Sequence, residues 1–169
     1  MKKAVFTGSF DPFTKGHLDI VRRAATIFDE ITVAICVNTE KVGGMFSPAE
    51  RLLIAEASTK SLEKETECLI KSEICPNLLA DFARERGIGV IIRGARTSTE
   101  FEYEVQMAEV NRALAGLETV IFPACPELSF ISSTVARDMI IYGRPEVAMA
   151  EGAEAILREI MKDRMKTED

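Results

Sequence analysis

The stretch Lys3-Ala4-Val5-Phe6-Thr7-Gly8-Ser9-Phe10-Asp11-Pro12-Phe13-Thr14-Lys15-Gly16-His17 decides the fold. Lys3 to Thr7 is a short apolar run closed by Gly8, which reads as a buried strand, and Leu18, Val21, Ala25 and Phe28 then recur at helical spacing. Gly8 allows close backbone approach, and the N–H groups around Ser9 and Phe10 can face a phosphate. His17 is expected to open the helix whose positive end favours anions. A lone histidine is more often an ordinary core or surface residue. Placed after Gly16 in a T-x-G-H string, at a strand-to-helix turn, this one reads as functional.

Outward from this unit, strands and helices alternate. Ile31 to Val37 is rich in β-branched residues and reads as a second strand. Ser47-Pro48-Ala49-Glu50 joins an N-cap serine, a proline at the first helical position and a glutamate three residues after the cap, which predicts a helix over 48–61. A third strand is expected near Glu67–Lys71, a helix over Leu78–Arg86 stopped by Gly87, and a strand over Gly89–Arg93. A helix from Thr99 to Ala115, a fifth strand over Thr119–Phe122, a helix from Ser133 to Tyr142 and a charged terminal helix from about Glu146 complete the pattern, with Lys162 to Asp169 expected to fray. The predicted fold is α/β: a Rossmann-like, doubly wound, five-stranded parallel sheet with helices on both faces. Ligands of such sheets bind beyond the carboxyl ends of the strands, so the loops after Thr7, Val37, Arg93 and Phe122 are the ones to inspect.

The 169 residues suit one domain, and with 47% hydrophobic residues the chain can bury a core without disulfides or a structural metal. No apolar run approaches the roughly 20 residues of a membrane span, and Lys2 and Lys3 precede an apolar run too short for a signal peptide, so a cytoplasmic location is expected. The four cysteines form no CxxC pair and have one histidine for company, which predicts reduced packing residues rather than a metal or redox centre. Lys and Arg number 21 against 27 Asp and Glu, a net charge of −6, which argues against a nucleic-acid partner. If the substrates are small anions, the cations must be gathered locally.

The S-F-D-P and T-x-G-H strings resemble the first signature of the nucleotidylyltransferase superfamily. Its second signature, I-S-S-T-x-x-R, stands at Ile131-Ser132-Ser133-Thr134-Val135-Ala136-Arg137. Serine and threonine there could be mere helix caps, yet capping hydroxyls and exposed N–H groups are also what hold a phosphate. Arg93-Gly94-Ala95-Arg96, followed by Phe101-Glu102-Tyr103-Glu104-Val105-Gln106-Met107-Ala108 and Asn111, resembles the RGxR…FEYExQMAxxN segment of the bacterial phosphopantetheine adenylyltransferase family. The resemblance runs from Val5 to about Tyr142. This chain has Thr7 where the family usually has proline, and Val42-Gly43-Gly44 lengthens the link after Lys41. Pro76-Asn77 and Leu128 also depart from common residues, changes of loop shape and substrate contact rather than of the reaction centre.

The resemblance implies adenylyl transfer from ATP to 4′-phosphopantetheine, giving dephospho-coenzyme A and pyrophosphate. It implies that Ser9 and Phe10 contact ATP, that Ser9 also touches the acceptor phosphate, and that His17 steadies the α-phosphate. Lys41, Leu79, Arg93 and Asn111 fall on the acceptor side; His17, Lys41 and Arg96 carry the catalytic work. Gly94, Ala95, Arg96 and Glu104, with Leu128, Ser129, Phe130, Ile131, Ser132, Ser133 and Thr134, match the ATP-binding segments. Mg²⁺ on the triphosphate, a homohexamer and feedback inhibition by coenzyme A are implied as well.

The chemistry of such a transfer agrees with the residue types. A phosphate monoester with a second pKa near ~6 is largely dianionic at neutral pH and can attack phosphorus without a general base. The remaining work is to hold two anions in line and to neutralise charge, for which Lys41, Arg93, Arg96, His17 and Arg137 are suited. With few carboxylates in the motifs, Mg²⁺ is expected to be held by ATP and water. Glu102 and Glu104 could instead be exposed helix charges, and Phe101 and Tyr103 are as readily core as site. The alternatives are another nucleotidylyltransferase, acting on nicotinate mononucleotide or glycerol phosphate, and a non-catalytic nucleotide-binding module on the same fold.

Overall fold

The computed structural model describes residues 1–37 and 44–167, the last three of these by backbone alone. Five parallel strands, β1 (Lys3–Gly8), β2 (Glu30–Cys36), β3 (Leu69–Cys75), β4 (Val90–Ala95) and β5 (Glu118–Pro123), form one sheet in the order β3-β2-β1-β4-β5. Among the described residues six α-helices accompany them: α1 (Lys15–Ala24), α2 (Pro48–Thr59), α3 (Leu79–Glu85), α4 (Ser98–Ala115), α5 (Ser133–Ile141) and α6 (Glu151–Thr167). β1 pairs with β2 on one side and β4 on the other, so the winding reverses beside it and a crevice opens past the carboxyl ends of β1 and β4.

The inner strands β1, β2 and β4 read as largely apolar runs because both of their faces are covered. Phe6, Ile31, Val33, Ile35, Ile92 and Phe122 pack with residues of α1, α2, α5 and α6 in the larger core. On the opposite face Val5, Ala34, Cys75 and Ile91 pack with Phe82 and Ala83 of α3. α2 begins as its sequence predicts, with the Ser47 hydroxyl accepting from the Glu50 N–H, the Glu50 carboxylate accepting from the Ser47 N–H, and Pro48 in the first turn.

Three expectations are corrected. β3 lies later than Glu67–Lys71, because Thr66 Oγ1 accepts from the Cys68 N–H (3.1 Å) in a turn and pairing with β2 starts only at Glu30↔Leu69. The terminal helix starts at Glu151 rather than near Glu146: Gly143 takes φ +70°, Pro145–Val147 forms a single 3-10 turn, and Ala148, Met149 and Ala150 sink into the core. The charged end is helical beyond Lys162. α6 continues to Thr167, with the Arg164 guanidinium 2.8 Å from the Glu50 carboxylate and 5.2 Å from the centre of the Phe46 ring. Glu168 and Asp169 lie outside the described residues.

α6 lies against α2 closely enough that a Cβ on Gly152 would stand 2.6 Å from the Ala57 carbonyl oxygen, a backbone atom that cannot swing aside. Gly152→Ala is therefore expected to lower stability by about 1–3 kcal/mol, read as a lower urea midpoint at unchanged slope.

Candidate active site

The loop between β1 and α1 is built around His17. Thr14, not His17, caps α1, and His17 is the third residue of the helix. The two side chains form a capping box in which histidine stands where glutamate usually does: Thr14 Oγ1 accepts from the His17 N–H at 3.4 Å, and His17 Nδ1 accepts from the Thr14 N–H at 3.0 Å. A ring nitrogen that accepts from a backbone N–H carries its lone pair there. The proton of the neutral ring therefore sits on Nε2.

Phe10, Phe13 and Phe6 surround the imidazole, with centroids 5.0, 5.3 and 6.0 Å from it. Phe10 takes φ +44°, an unusual conformation for a bulky residue, and its ring is buried. A Cβ at position 8 would come within 3.0 Å of that ring, which is why glycine stands there. Burial first, then the charges of Arg96 and Arg93, lower the His17 pKa from 6.5 to about 4. The ring is neutral at pH 7 and keeps its one N–H at Nε2. Between about 6.5 and about 4 the unfolded chain takes up a proton that the folded chain refuses, so stability falls as pH drops through that window. Thermal unfolding of wild type and His17→Asn across pH 7 to 4 is expected to show a smaller loss in the variant.

Asp11 ties this loop to distant elements. Its two oxygens accept from the N–H groups of Met45 (3.0 Å) and Phe46 (2.9 Å), and Arg51 Nε stands 3.3 Å away. Arg137 Nη1 donates to the Asp11 carbonyl at 2.6 Å, and Ser133 Oγ donates to the Pro12 carbonyl at 3.0 Å. The second signature thus clasps the first. Arg137 does this as a brace and does not line the cavity at the carboxyl ends of β1 and β4.

A cavity of about 660 Å³ opens at the carboxyl ends of β1 and β4. Ser9, Phe10 and His17 line it from the first loop, Arg93, Gly94, Ala95, Arg96 and Glu104 from β4 and α4, and Leu128, Ile131, Ser132, Ser133 and Thr134 from the start of α5. Ser132 caps α5, accepting from the Val135 N–H at 3.0 Å, so the unpartnered first N–H groups of the helix are at the cavity. Ser129, the exposed Phe130, Leu79 and Asn111 do not line it; Leu79 packs against the smaller core. Lys41 lies outside the described residues. Ile20, Thr99, Glu100 and Ala124 join the lining without belonging to any of the motifs that point to the site, and Tyr103, from the Phe101–Ala108 segment, lines it too. Tyr103 and Phe101 are both exposed rather than core.

Both arginines already have carboxylate partners. Arg93 Nε and Nη2 reach the two oxygens of buried Glu104 at 2.7 and 2.6 Å, and Nη1 donates to the Thr7 carbonyl at 2.6 Å. Glu104 is therefore no solvated helix charge. Arg96 pairs with Glu100, in the first turn of α4. No three His, Cys, Asp or Glu side chains converge on a metal-binding point among the described residues, and the cavity's two glutamates are committed to arginines. This donor set does not fit a protein-held Mg²⁺.

Residues 5–139 match the family described as cytidylyltransferase-like. The chain is 42% identical over 143 residues to a phosphopantetheine adenylyltransferase of Corynebacterium diphtheriae, covering 85% of this chain and 87% of that one. A Vibrio parahaemolyticus structure described as a putative nicotinate-nucleotide adenylyltransferase superposes with TM-score 0.65 at 15% identity, covering 94% and 93% of the two chains. The bifunctional NMN adenylyltransferase/ADP ribose pyrophosphatase of Francisella tularensis gives TM-score 0.60 at 14% identity, over 99% of this chain and 56% of that one. These two likenesses are of fold.

Proposed function

This chain belongs to the cytidylyltransferase-like family and, within it, to the phosphopantetheine adenylyltransferases, and from that premise we propose that it transfers the adenylyl group of ATP to 4′-phosphopantetheine, releasing pyrophosphate and forming dephospho-coenzyme A. The observation that carries the reading is the meeting of His17, Arg96 and the start of α5 around one cavity.

The acceptor phosphate attacks the α-phosphorus in line, and its dianion needs no base. His17, neutral and held by Thr14, donates from Nε2 to a non-bridging α-oxygen as charge gathers there. Arg96 and the first N–H groups of α5 bind the β- and γ-phosphates that leave as pyrophosphate. Ser9 and Phe10 place the α-phosphate, and Gly94 and Ala95 give the nucleotide an unobstructed wall. Arg93, bonded to Glu104 and Thr7, shapes the boundary between the two substrates. Lys41, Leu79 and Asn111 belong to the acceptor side. Mg²⁺, if bound with the triphosphate rather than by this chain, would supply charge neutralisation there.

The proposal extends to the whole chain as one nucleotidylyltransferase domain, to the cytoplasm as its location, and to a homohexamer inhibited by coenzyme A. No helix among the described residues is long and apolar enough to cross a membrane. Self-association is supported by α4, whose 18 residues bury only Glu104 and leave Phe101, Val110 and Leu114 exposed.

Incubation with Mg-ATP and 4′-phosphopantetheine tests the reaction, with dephospho-coenzyme A and pyrophosphate as the readout. Turnover with nicotinate mononucleotide or glycerol phosphate in its place would reassign the acceptor. ATP binding with no turnover of any acceptor would make the chain a nucleotide-binding module.

A further inference from the structure

One carboxylate in the cavity wall has no part in the chemistry above. Glu100 Oε2 accepts from the Arg96 backbone N–H at 2.7 Å and from Arg96 Nε at 3.3 Å, while Oε1 pairs with Nη2. Arg96 Nη1 donates to the Ile131 carbonyl at 3.3 Å. The guanidinium is thus held from two sides, by α4 and by the residue just before the α5 cap. Each side chain of the pair is 36% exposed, so the ion pair itself contributes little stability. Its position is nonetheless unfavourable for an anion site, since a bare carboxylate there would repel a triphosphate.

Geometry offers a reason for its presence. A free arginine side chain carries about 2 kcal/mol of rotamer entropy, part of which is lost when it closes on a ligand. A guanidinium already fixed by Glu100 and Ile131 has lost that freedom before ATP arrives. It still has donor capacity for a phosphate, because its five N–H groups exceed what two partners take.

We propose that Glu100 is a positioning residue for ATP, acting through Arg96 by holding the guanidinium at the place the triphosphate will occupy. This rests on the reading of the cavity as the ATP site. The competing explanation is helix capping: the Glu100 carboxylate, in the first turn of α4, accepts from the backbone N–H of Arg96 just before the Thr97 cap. Capping would affect stability and leave nucleotide affinity alone.

The test uses the full chain as wild type, Glu100→Ala, Glu100→Gln, Arg96→Ala and the double variant Arg96→Ala/Glu100→Ala. Mg-ATP binding is measured calorimetrically without acceptor, alongside kcat, both KM values and urea unfolding. Glu100→Ala is expected to weaken ATP binding about fivefold to tenfold, as for one side chain left to be ordered on binding, with the acceptor KM within about twofold of wild type. Glu100→Gln keeps an acceptor oxygen and should recover most of that loss. In the Arg96→Ala background Glu100→Ala should have no further effect on ATP binding.

Equal or tighter ATP binding by Glu100→Ala would overturn the proposal and leave Glu100 a repelling charge. Independent, multiplying losses in the double variant would also overturn it, as would unfolding changes with unaltered ATP affinity. Failure of the wild type to form dephospho-coenzyme A would remove the proposed reaction, whereas the binding arms would still decide the Glu100–Arg96 relation.

Discussion

His17→Ala is expected to lower kcat by about 10²–10³-fold or more while the protein still folds and still binds ATP, the range found when one transition-state donor is removed. The loss belongs to kcat because Nε2–H is worth most to an α-phosphate whose oxygens are gaining charge. His17→Asn sharpens the test. Its short side chain can occupy the Nδ1 end of the ring, near the Thr14 N–H that Nδ1 accepts from at 3.0 Å, and it has no donor at the Nε2 end. Both variants should therefore be slow, and His17→Asn should be the more stable of the two. Because the free ring titrates at about 4, kcat/KM for wild type should show no inflection from His17 near pH 6.5. Wild-type turnover by a purified, folded His17→Ala would remove histidine from the mechanism.

Asp11→Ala is expected to be the most destabilising single change in the site, at about 3–5 kcal/mol, as for a buried ion pair deprived of one partner. The carboxylate is 12% exposed and Arg51 14%, so the guanidinium left behind cannot recover its hydration by a small movement. The N–H groups of Met45 and Phe46 would lose their acceptors as well. Asp11→Asn keeps one acceptor oxygen and should lose distinctly less. Urea unfolding measures both, and an Asp11→Ala midpoint indistinguishable from wild type would show that the loop is held without this carboxylate.

Local signals in the sequence carry the architecture. Ser47-Pro48-Ala49-Glu50 marks α2 by capping chemistry alone, and Gly87 and Gly116, at φ +64° and +65°, stop α3 and α4. The ends of β3 are not legible in this way, because an edge strand is half exposed and lacks a sustained apolar run; only its register with β2 fixes them. In the site, the T-x-G-H and I-S-S-T-x-x-R strings can be read because each is contiguous. The Thr14–His17 bond is also within reach, since Thr-x-x-His has the spacing of a capping box with histidine in place of the acid. The Arg93–Glu104 pair is not. A strand-to-helix turn separates the partners, and whether they meet depends on how α4 crosses β4. Likewise Asp11, an ordinary turn aspartate in the sequence, becomes a hub only when residues 45–46 and 137 are brought beside it.

The strand order has a consequence in time. β1 is made first yet stands in the middle of the sheet, and its neighbour β4 follows only after β2, α2, β3 and α3 have been synthesised. The braces that hold the first loop, Ser133 and Arg137, come later still. A chain growing from its N-terminus therefore carries His17, with only its local Thr14 partner, long before the braces of its loop exist, and a chain that ends before α5 lacks one wall of the cavity. The cavity is complete only once the residues at the start of α5 have been made.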